Sequence, residues 1–460
     1  MVHRSVAQAG QSRDAFRTVD RASSPMMTKV VHAASIYYVL HTMSFLGVID
    51  KLVNGPRGAG STGNDITMTV NLLGVFVSVF LFWSGMRKTG AARFNKFLPL
   101  LAAGFLLASA LWSVKPSLTF TQGTAYVFVV VGAIGLVQVS DRDELMDLLV
   151  RTCALSAVAS VLWQFVLFPG AAFNDTEPDF EGIFSQKNVL GQVMAAGVLG
   201  ALHCLRVRKG RRLRYICIIA LCTTVAFLSK SSTSLVAIAA LFCLDFLGRL
   251  YLKGASIGTI CLSMGCALVL LFFAVNDDLI LEILGKDATL TGRTQIWQYA
   301  IDNIGEKPLF GWGYAAFWVP GNPAAGQIAE AVNWEVPNAH NGLLEFLLGV
   351  GAVGSSLFLL LWARNLVMAV RCMKGRARQF GLTSMLLLIA ILLIGISEQV
   401  LLAALQIWTS MFFIMGFICE RELSLERDEA RLGRFEIPKP GNPHSLNPSG
   451  MRQLSRQLRL

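Results

Sequence analysis

The sequence predicts an all-α polytopic membrane protein, with about twelve transmembrane helices and one long loop between the ninth and tenth. Three observations predict it. Of 460 residues, 54% are hydrophobic and only 15% charged, whereas an ordinary soluble domain carries roughly 25% charge. A larger soluble core does not absorb the excess, because soluble chains of this length divide into domains. The apolar residues also come in blocks, such as 97–112, 255–275 and 382–396, near the ~20 residues that cross a bilayer's hydrocarbon. Finally, the basic residues collect on alternate connections between those blocks. A soluble enzyme, a secreted disulfide scaffold and a disordered chain are excluded together.

Residues 1–29 are polar and lack a short apolar core ahead of a small-residue cleavage site, so the first apolar block is expected to remain as a signal anchor. Spans are placed near 30–49, 66–86, 97–113, 119–139, 146–168, 188–205, 215–229, 231–248, 255–275, 340–363, 380–397 and 399–418. The short pair flanking Lys230 and the pair meeting at Glu398 are the ones a hairpin would also explain. With the N-terminus inside, cytoplasmic segments hold 31 of the 40 Lys and Arg, the outer face holds eight, and Arg151 lies within a span. A wrong count would scatter the cations over both faces. The net charge of +11 is therefore a topology signal and implies no nucleic acid. The nine cysteines form no CxxC pair and no zinc-spaced Cys/His cluster, and none falls in an outer loop. Residues 30–418 thus form one membrane domain between a cytoplasmic tail of 1–29 and a polar, mobile one of 419–460.

Two outer segments exceed simple turns. One, 169–187, is acidic through Asp175, Glu177, Asp179 and Glu181. The other, 276–339, holds four of the nine Trp, and loops this long are usually functional or disordered. Its aromatic content argues for folding. Near its start, Ile296, Trp297, Ala300, Ile301 and Ile304 recur at helical spacing and predict an amphipathic helix on the membrane surface or on the bundle. Thr291 would cap it and place Arg293 in the first turn. Two readings of Arg293 stand: a snorkelling surface arginine, or a cation that joins the helix's free N–H groups in holding an anion such as phosphate.

Further on, Gly311, Trp312 and Gly313 form a turn that admits close backbone approach, and Tyr314 follows. Pro337 disfavours helix before it and Asn338 is a good N-cap, which would put His340 in the first turn of the tenth span. A helix N-terminus favours neutral imidazole, the form a general base needs; the competing reading is an interfacial polar residue. Asn341 and Glu345 share a face at four-residue spacing and would hydrogen-bond each other. Gly349, Gly351 and Gly354 would permit close helix packing. A third polar patch lies at 181–192, where Lys187 would sit at the interface, snorkelling or facing an anion, and Asn188 would cap the sixth span.

These motifs resemble those of the O-antigen ligase and bacterial polysaccharide polymerase superfamily. A Gly-Arg-x-x-x-Trp segment is matched by Gly292, Arg293 and Trp297, and a Pro-Leu-Phe-Gly-Trp-Gly stretch by residues 308–313. A His-Asn pair followed after nine residues by Gly-x-x-Gly is matched by His340, Asn341, Gly351 and Gly354. The resemblance covers most of residues 30–418. It implies the fold of large membrane-embedded glycosyltransferases of the inner membrane and a periplasmic active site, with no metal and no cofactor. The implied reaction moves a glycan from an undecaprenyl-pyrophosphate carrier to an acceptor hydroxyl. His340 would activate or orient that hydroxyl and Arg293 hold the pyrophosphate. Lys187, Asn188, Asn341, Trp312 and Tyr314 would line the substrate, and Gly292, Gly311, Gly313, Gly351 and Gly354 serve the backbone. Implied partners are the lipid-linked oligosaccharide, membrane lipid, and a chain-length regulator and export complex.

One departure ranks the subgroups. Many ligases carry an arginine before a Gly-x-Phe-x-x-x-Asn segment, where this chain has Asp179 and Glu181, and Lys187 is the nearby cation. That arrangement looks more like the succinoglycan-type exopolysaccharide polymerases than like lipopolysaccharide ligases, so a repeat-unit polymerase is expected first and a ligase second. A lipid-linked glycan transporter is the alternative of another class. It would place ionisable groups deep in the spans, where this chain offers mainly Arg151 and Asp245.

Overall fold

The computed structural model describes residues 25–43, 64–87, 94–168, 180–254 and 291–435. The regular elements among the described residues are all helices: α1 Pro25–His41, α2 Asn64–Met86, α3 Phe97–Ala108, α4 Pro116–Val139, α5 Arg142–Leu162, α6 Lys187–Val207, α7 Arg212–Leu228, α8 Ser232–Leu252, α9 Thr291–Glu306, α10 Pro323–Val332, α11 Gly342–Lys374, α12 Arg378–Gly395 and α13 Ile407–Phe435. Seven stretches among them are long and apolar enough to cross a membrane: 69–86, 116–139, 142–167, 187–207, 232–252, 342–374 and 378–395. The protein is a polytopic membrane protein.

Every expected span except the ninth overlaps a described helix; 255–275 lies outside the described residues, as do the first part of the long loop and most of the acidic one. Local chemistry explains several boundaries. Pro116 opens α4 where its missing N–H costs nothing. Asp141 caps α5 by accepting from the Asp143 amide at 3.3 Å, with Asp143 and Glu144 in the first turn where the helix dipole favours anions.

Two expectations are corrected. The last span does not begin at 399, because residues 396–406 stay non-helical and α13 starts only at Ile407. Val400, Leu401, Leu402 and Ala404 of this unwound stretch are buried, and three of its carbonyls accept side-chain hydroxyls: Leu401 from Tyr126 at 2.8 Å, Val400 and Ala403 from Thr409 at 2.9 and 2.8 Å. Irregular backbone at membrane depth is tolerable under that condition. Nor does the tail become irregular at 419. α13 continues to Phe435, held by Arg142–Glu422 at 2.6 Å and by an Arg364–Glu420 pair.

The core centres on α4 and α6. The Tyr126 ring meets Tyr314, Phe358 and Phe413 edge-on at 5.9, 5.9 and 6.0 Å. Small residues on α6 bring its neighbours close; a Cβ on Gly197 would stand 2.8 Å from that of Cys153. The two charges read as mid-span are both paired. Arg151 bridges to Asp147, and Asp245 to Arg206 and, at 3.0 Å, to Arg249. Both clusters sit toward the α6 end that carries Arg206 and Arg208.

Candidate functional site

The described part of the long loop folds as a small cap with its own core of Ile296, Ala300, Trp312, Phe317, Ile328, Val336, Ala339 and Leu348. α9 lies on the bundle against α11 and α10, one of the two placements its amphipathicity allowed. Ile296 and Ala300 are fully buried on its inner face, whereas Ile301 is 58% exposed, so the apolar stripe is narrower than its spacing implied. Helix α10 was not anticipated. Asn322 caps it, Pro323 opens it, and Asn333 ends it with a left-handed residue that returns Trp334 toward His340. The two rings lie 6.3 Å apart.

Arg293 occupies the first turn of α9, and the side chains of residues 291–294, Gly292 included, lie outside the described ones. Trp297, one turn on, donates its indole N–H to the Ala339 carbonyl at 2.9 Å. The Ala339 amide in turn donates to the Glu345 carboxylate, which also accepts from the Trp318 indole at 2.7 Å. Both backbone groups of the residue before His340 are therefore fixed by side chains from other elements. His340 itself is left-handed, with φ 47°, a region sparsely used outside glycine but enriched in histidine and asparagine.

These contacts correct the expected cap. Asn341 is the N-cap of α11, accepting from the Leu343 and Leu344 amides at 3.0 and 3.1 Å. Asn338 accepts from the His340 amide at 2.8 Å. His340 thus precedes the cap and is not in the first turn, and Asn341 and Glu345 do not pair through their side chains. Glu345, read from the sequence only as a partner for Asn341, instead joins the site through Trp318 and Ala339. The signal was present, because an acid just inside a membrane helix is a functional-site hypothesis by default.

The loop's middle docks backbone to backbone into α11. The Trp312 and Gly313 amides donate to the Leu348 and Gly349 carbonyls at 2.8 and 3.0 Å, and the Ala352 and Val353 amides to the Pro308 and Leu309 carbonyls at 2.8 and 3.0 Å. α11 opens for this at Gly351, whose φ 62° and ψ −169° are non-helical. A Cβ on Gly311 would stand 2.7 Å from Gly349 and Gly351 backbone, which is the close approach expected of that turn. Gly351 therefore admits loop backbone into the helix, whereas Gly354 packs against Phe105. Gly313, with φ 104°, backs onto Ser113.

Trp312 is buried in the cap's core, under Lys307 at 4.0 Å from its ring. Its indole donates to the Asn303 carbonyl at 3.0 Å. Tyr314 is 1% exposed, its hydroxyl donates to the Leu402 carbonyl, and burial pushes the phenol pKa up. Both aromatics are committed to packing rather than presented to a solvent-filled cleft.

The third patch joins at the same end of the bundle. Lys187 is the first residue of α6, and Gln186, not Asn188, occupies the cap position. Asn188 instead donates to the Glu398 carboxylate at 2.6 Å. The Glu398 and Gly395 carbonyls in turn lie against Gly342, 3.3 and 3.0 Å from where its Cβ would stand, and Thr233 of α8 meets Ser397 at 2.7 Å. A cavity of about 180 Å³ opens beside this junction, with Glu345, Trp318, Pro337 and Gln399 in its wall.

Residues 215–359 match the family model described as O-antigen ligase, a stretch that takes in the Arg293 helix, the docked turn and the whole His340–Gly354 pattern. The chain is also 30% identical over 262 residues to exopolysaccharide production protein ExoQ of Rhizobium meliloti (strain 1021), covering 54% of this chain and 60% of that protein. The match thus spans less than two thirds of that relative's length. Over these stretches the chain is similar to the O-antigen ligase family and to an exopolysaccharide production protein.

Proposed function

We propose that the chain polymerises undecaprenyl-pyrophosphate-linked oligosaccharide repeat units into exopolysaccharide on the periplasmic face of the inner membrane, by metal-independent glycosyl transfer. The observation that carries this reading is the Trp297–Ala339 hydrogen bond. It ties the helix that begins around Arg293 to the residue preceding His340, so an anion-holding end and a proton-accepting group belong to one rigid cap.

In this reaction an acceptor hydroxyl oxygen attacks the anomeric carbon of the donor sugar. The bond from that carbon to the lipid pyrophosphate breaks, and its electron pair leaves on the phosphate oxygen. His340 takes the hydroxyl proton, a role worth typically 10²–10⁴-fold. Arg293 meets the charge that develops on the leaving pyrophosphate, and Lys187 adds positive potential. Asn188 and Glu398 hold the α6 end against the α12–α13 junction. A ligase acting on a lipopolysaccharide acceptor is the second reading. The exopolysaccharide name of the matched relative and the acidic residues at 179 and 181 support the first.

Two experiments test this. Reporter fusions after Arg212 and Arg376 should read cytoplasmic and one after Asn322 periplasmic; a cytoplasmic signal at Asn322 would put the site on the wrong side. The second concerns the two cations. Arginine offers a planar fork of donors matched to phosphate oxygens, and lysine a movable point charge. A hydrogen bond to a charged group contributes about 1.5–3 kcal/mol, so Arg293→Lys should slow chain extension by at least ~10-fold. Lys187→Arg should stay within a few-fold. Near-wild-type turnover of Arg293→Lys would make that arginine an interfacial anchor and move the pyrophosphate site elsewhere.

A further inference from the structure

A cavity of about 620 Å³ lies where the start of α5 meets α1 and the α6–α7 turn. It is remote from the site just described. α6 begins with Lys187 at the Glu398 junction and reaches Arg208 at this cavity, and its 21 residues span about 30 Å at 1.5 Å each.

The cavity is organised around one buried acid. Asp147, 3% exposed, accepts from the Tyr215 hydroxyl at 2.9 Å and pairs with Arg151, with Arg208 at 3.7 Å and with Arg214 at 3.8 Å. Arg208 is further fixed by donating to the Asp143 carbonyl at 2.8 Å. Arg151, Arg208 and Arg211 line the cavity against only two acids, Asp147 and Glu144. The wall therefore keeps an excess of positive charge, and two of its guanidinium groups, those of Arg151 and Arg208, are held by the Asp147 carboxylate.

Ile36, Leu145, Leu148 and Leu155 supply the apolar part of the lining. Leu155 lies on the cavity wall, and it continues down α5 as a track of exposed Leu155, Val158 and Leu162. These positions fall on one helix face by their spacing. A cationic recess at the end of a membrane helix, running into an apolar strip along it, has the two-part chemistry of a phospholipid. Basic pockets between helices on the cytoplasmic side are known to take anionic headgroups, and arginine matches phosphate oxygens bidentately.

We propose that this cavity seats the phosphodiester headgroup of an anionic phospholipid, with an acyl chain along Leu155, Val158 and Leu162. The leaflet is the cytoplasmic one, an assignment that rests on the inside N-terminus. Such a lipid would lock α1 against α5 and the α6–α7 turn without touching the reaction centre.

The test uses the full chain, purified in detergent and offered phosphatidylglycerol, phosphatidylcholine or inorganic phosphate, with retained ligand read by native mass spectrometry and stability by thermal unfolding. Phosphatidylglycerol should be retained at least about tenfold better than phosphatidylcholine and should raise the unfolding temperature. Arg211→Gln leaves the Asp147 pairs in place, so it should fold normally and cut phosphatidylglycerol retention several-fold; Arg151→Gln should add to the loss. Equal retention of both lipids, or retention unchanged in Arg211→Gln and Arg151→Gln alike, would overturn the proposal. Stabilisation by inorganic phosphate with no lipid retained would also overturn it, leaving a free-anion site. The retention result is independent of topology. A cytoplasmic reporter at Asn322 would move the cavity to the other leaflet without altering it.

Discussion

Replacing His340 should abolish chain extension from lipid-linked repeat units while donor binding and folding persist. The side chain is half-buried beside Trp334, so its removal leaves no large cavity. The backbone is the complication, because φ 47° is costly for alanine. His340→Asn is therefore the cleaner variant, since asparagine tolerates the left-handed region and removes the imidazole. Loss of a positioned general base costs typically 10²–10⁴-fold. Both His340→Asn and His340→Ala should show that drop in the rate of extension, with wild-type retention of lipid-linked donor. Products of normal length from either variant would remove the histidine from the mechanism. They would also revive the transporter reading.

Gly351→Val should be the most damaging single change to the fold of the cap. At φ 62° and ψ −169° the residue sits in backbone space that is essentially open to glycine alone, where another residue costs of order 1–3 kcal/mol. A side chain there would also run into the Leu309 and Phe310 backbone. Relief requires withdrawing the 308–313 segment and breaking the hydrogen bonds from Trp312, Gly313, Ala352 and Val353, each contributing about 1 kcal/mol. A loss of at least ~3 kcal/mol is expected, with faster proteolysis of the loop and loss of activity together. Gly349→Ala is the control. A Cβ on Gly349 meets nothing nearer than 3.9 Å, so its unfolding temperature and activity should stay near wild type. If Gly351→Val behaved like that control, the backbone interlock would not be what holds the cap.

Much of this was legible in the sequence. Twenty-residue apolar blocks fix that the chain crosses a membrane repeatedly, because backbone and side chain must both be satisfied in hydrocarbon. The helical spacing of Ile296, Trp297, Ala300 and Ile304 marked α9, and the paired glycines at 311 and 313 marked a close approach. The His340–Gly354 pattern resembles that of the O-antigen ligase family, and the match over residues 215–359 takes it in. Tertiary structure alone decided the rest. Periodicity reports which face of a helix is buried, but not what buries it, so Ile301 was assigned to a face that packing left open. No composition marks the place where a helix opens to accept another backbone, which is why Gly351 was read as a packing glycine. The partners of Ala339, Asn188 and Glu345 are distant in sequence. Their hydrogen bonds with Trp297, Glu398 and Trp318 exist only because the helix ends converge, and convergence is set by packing over the whole bundle rather than by any local signal.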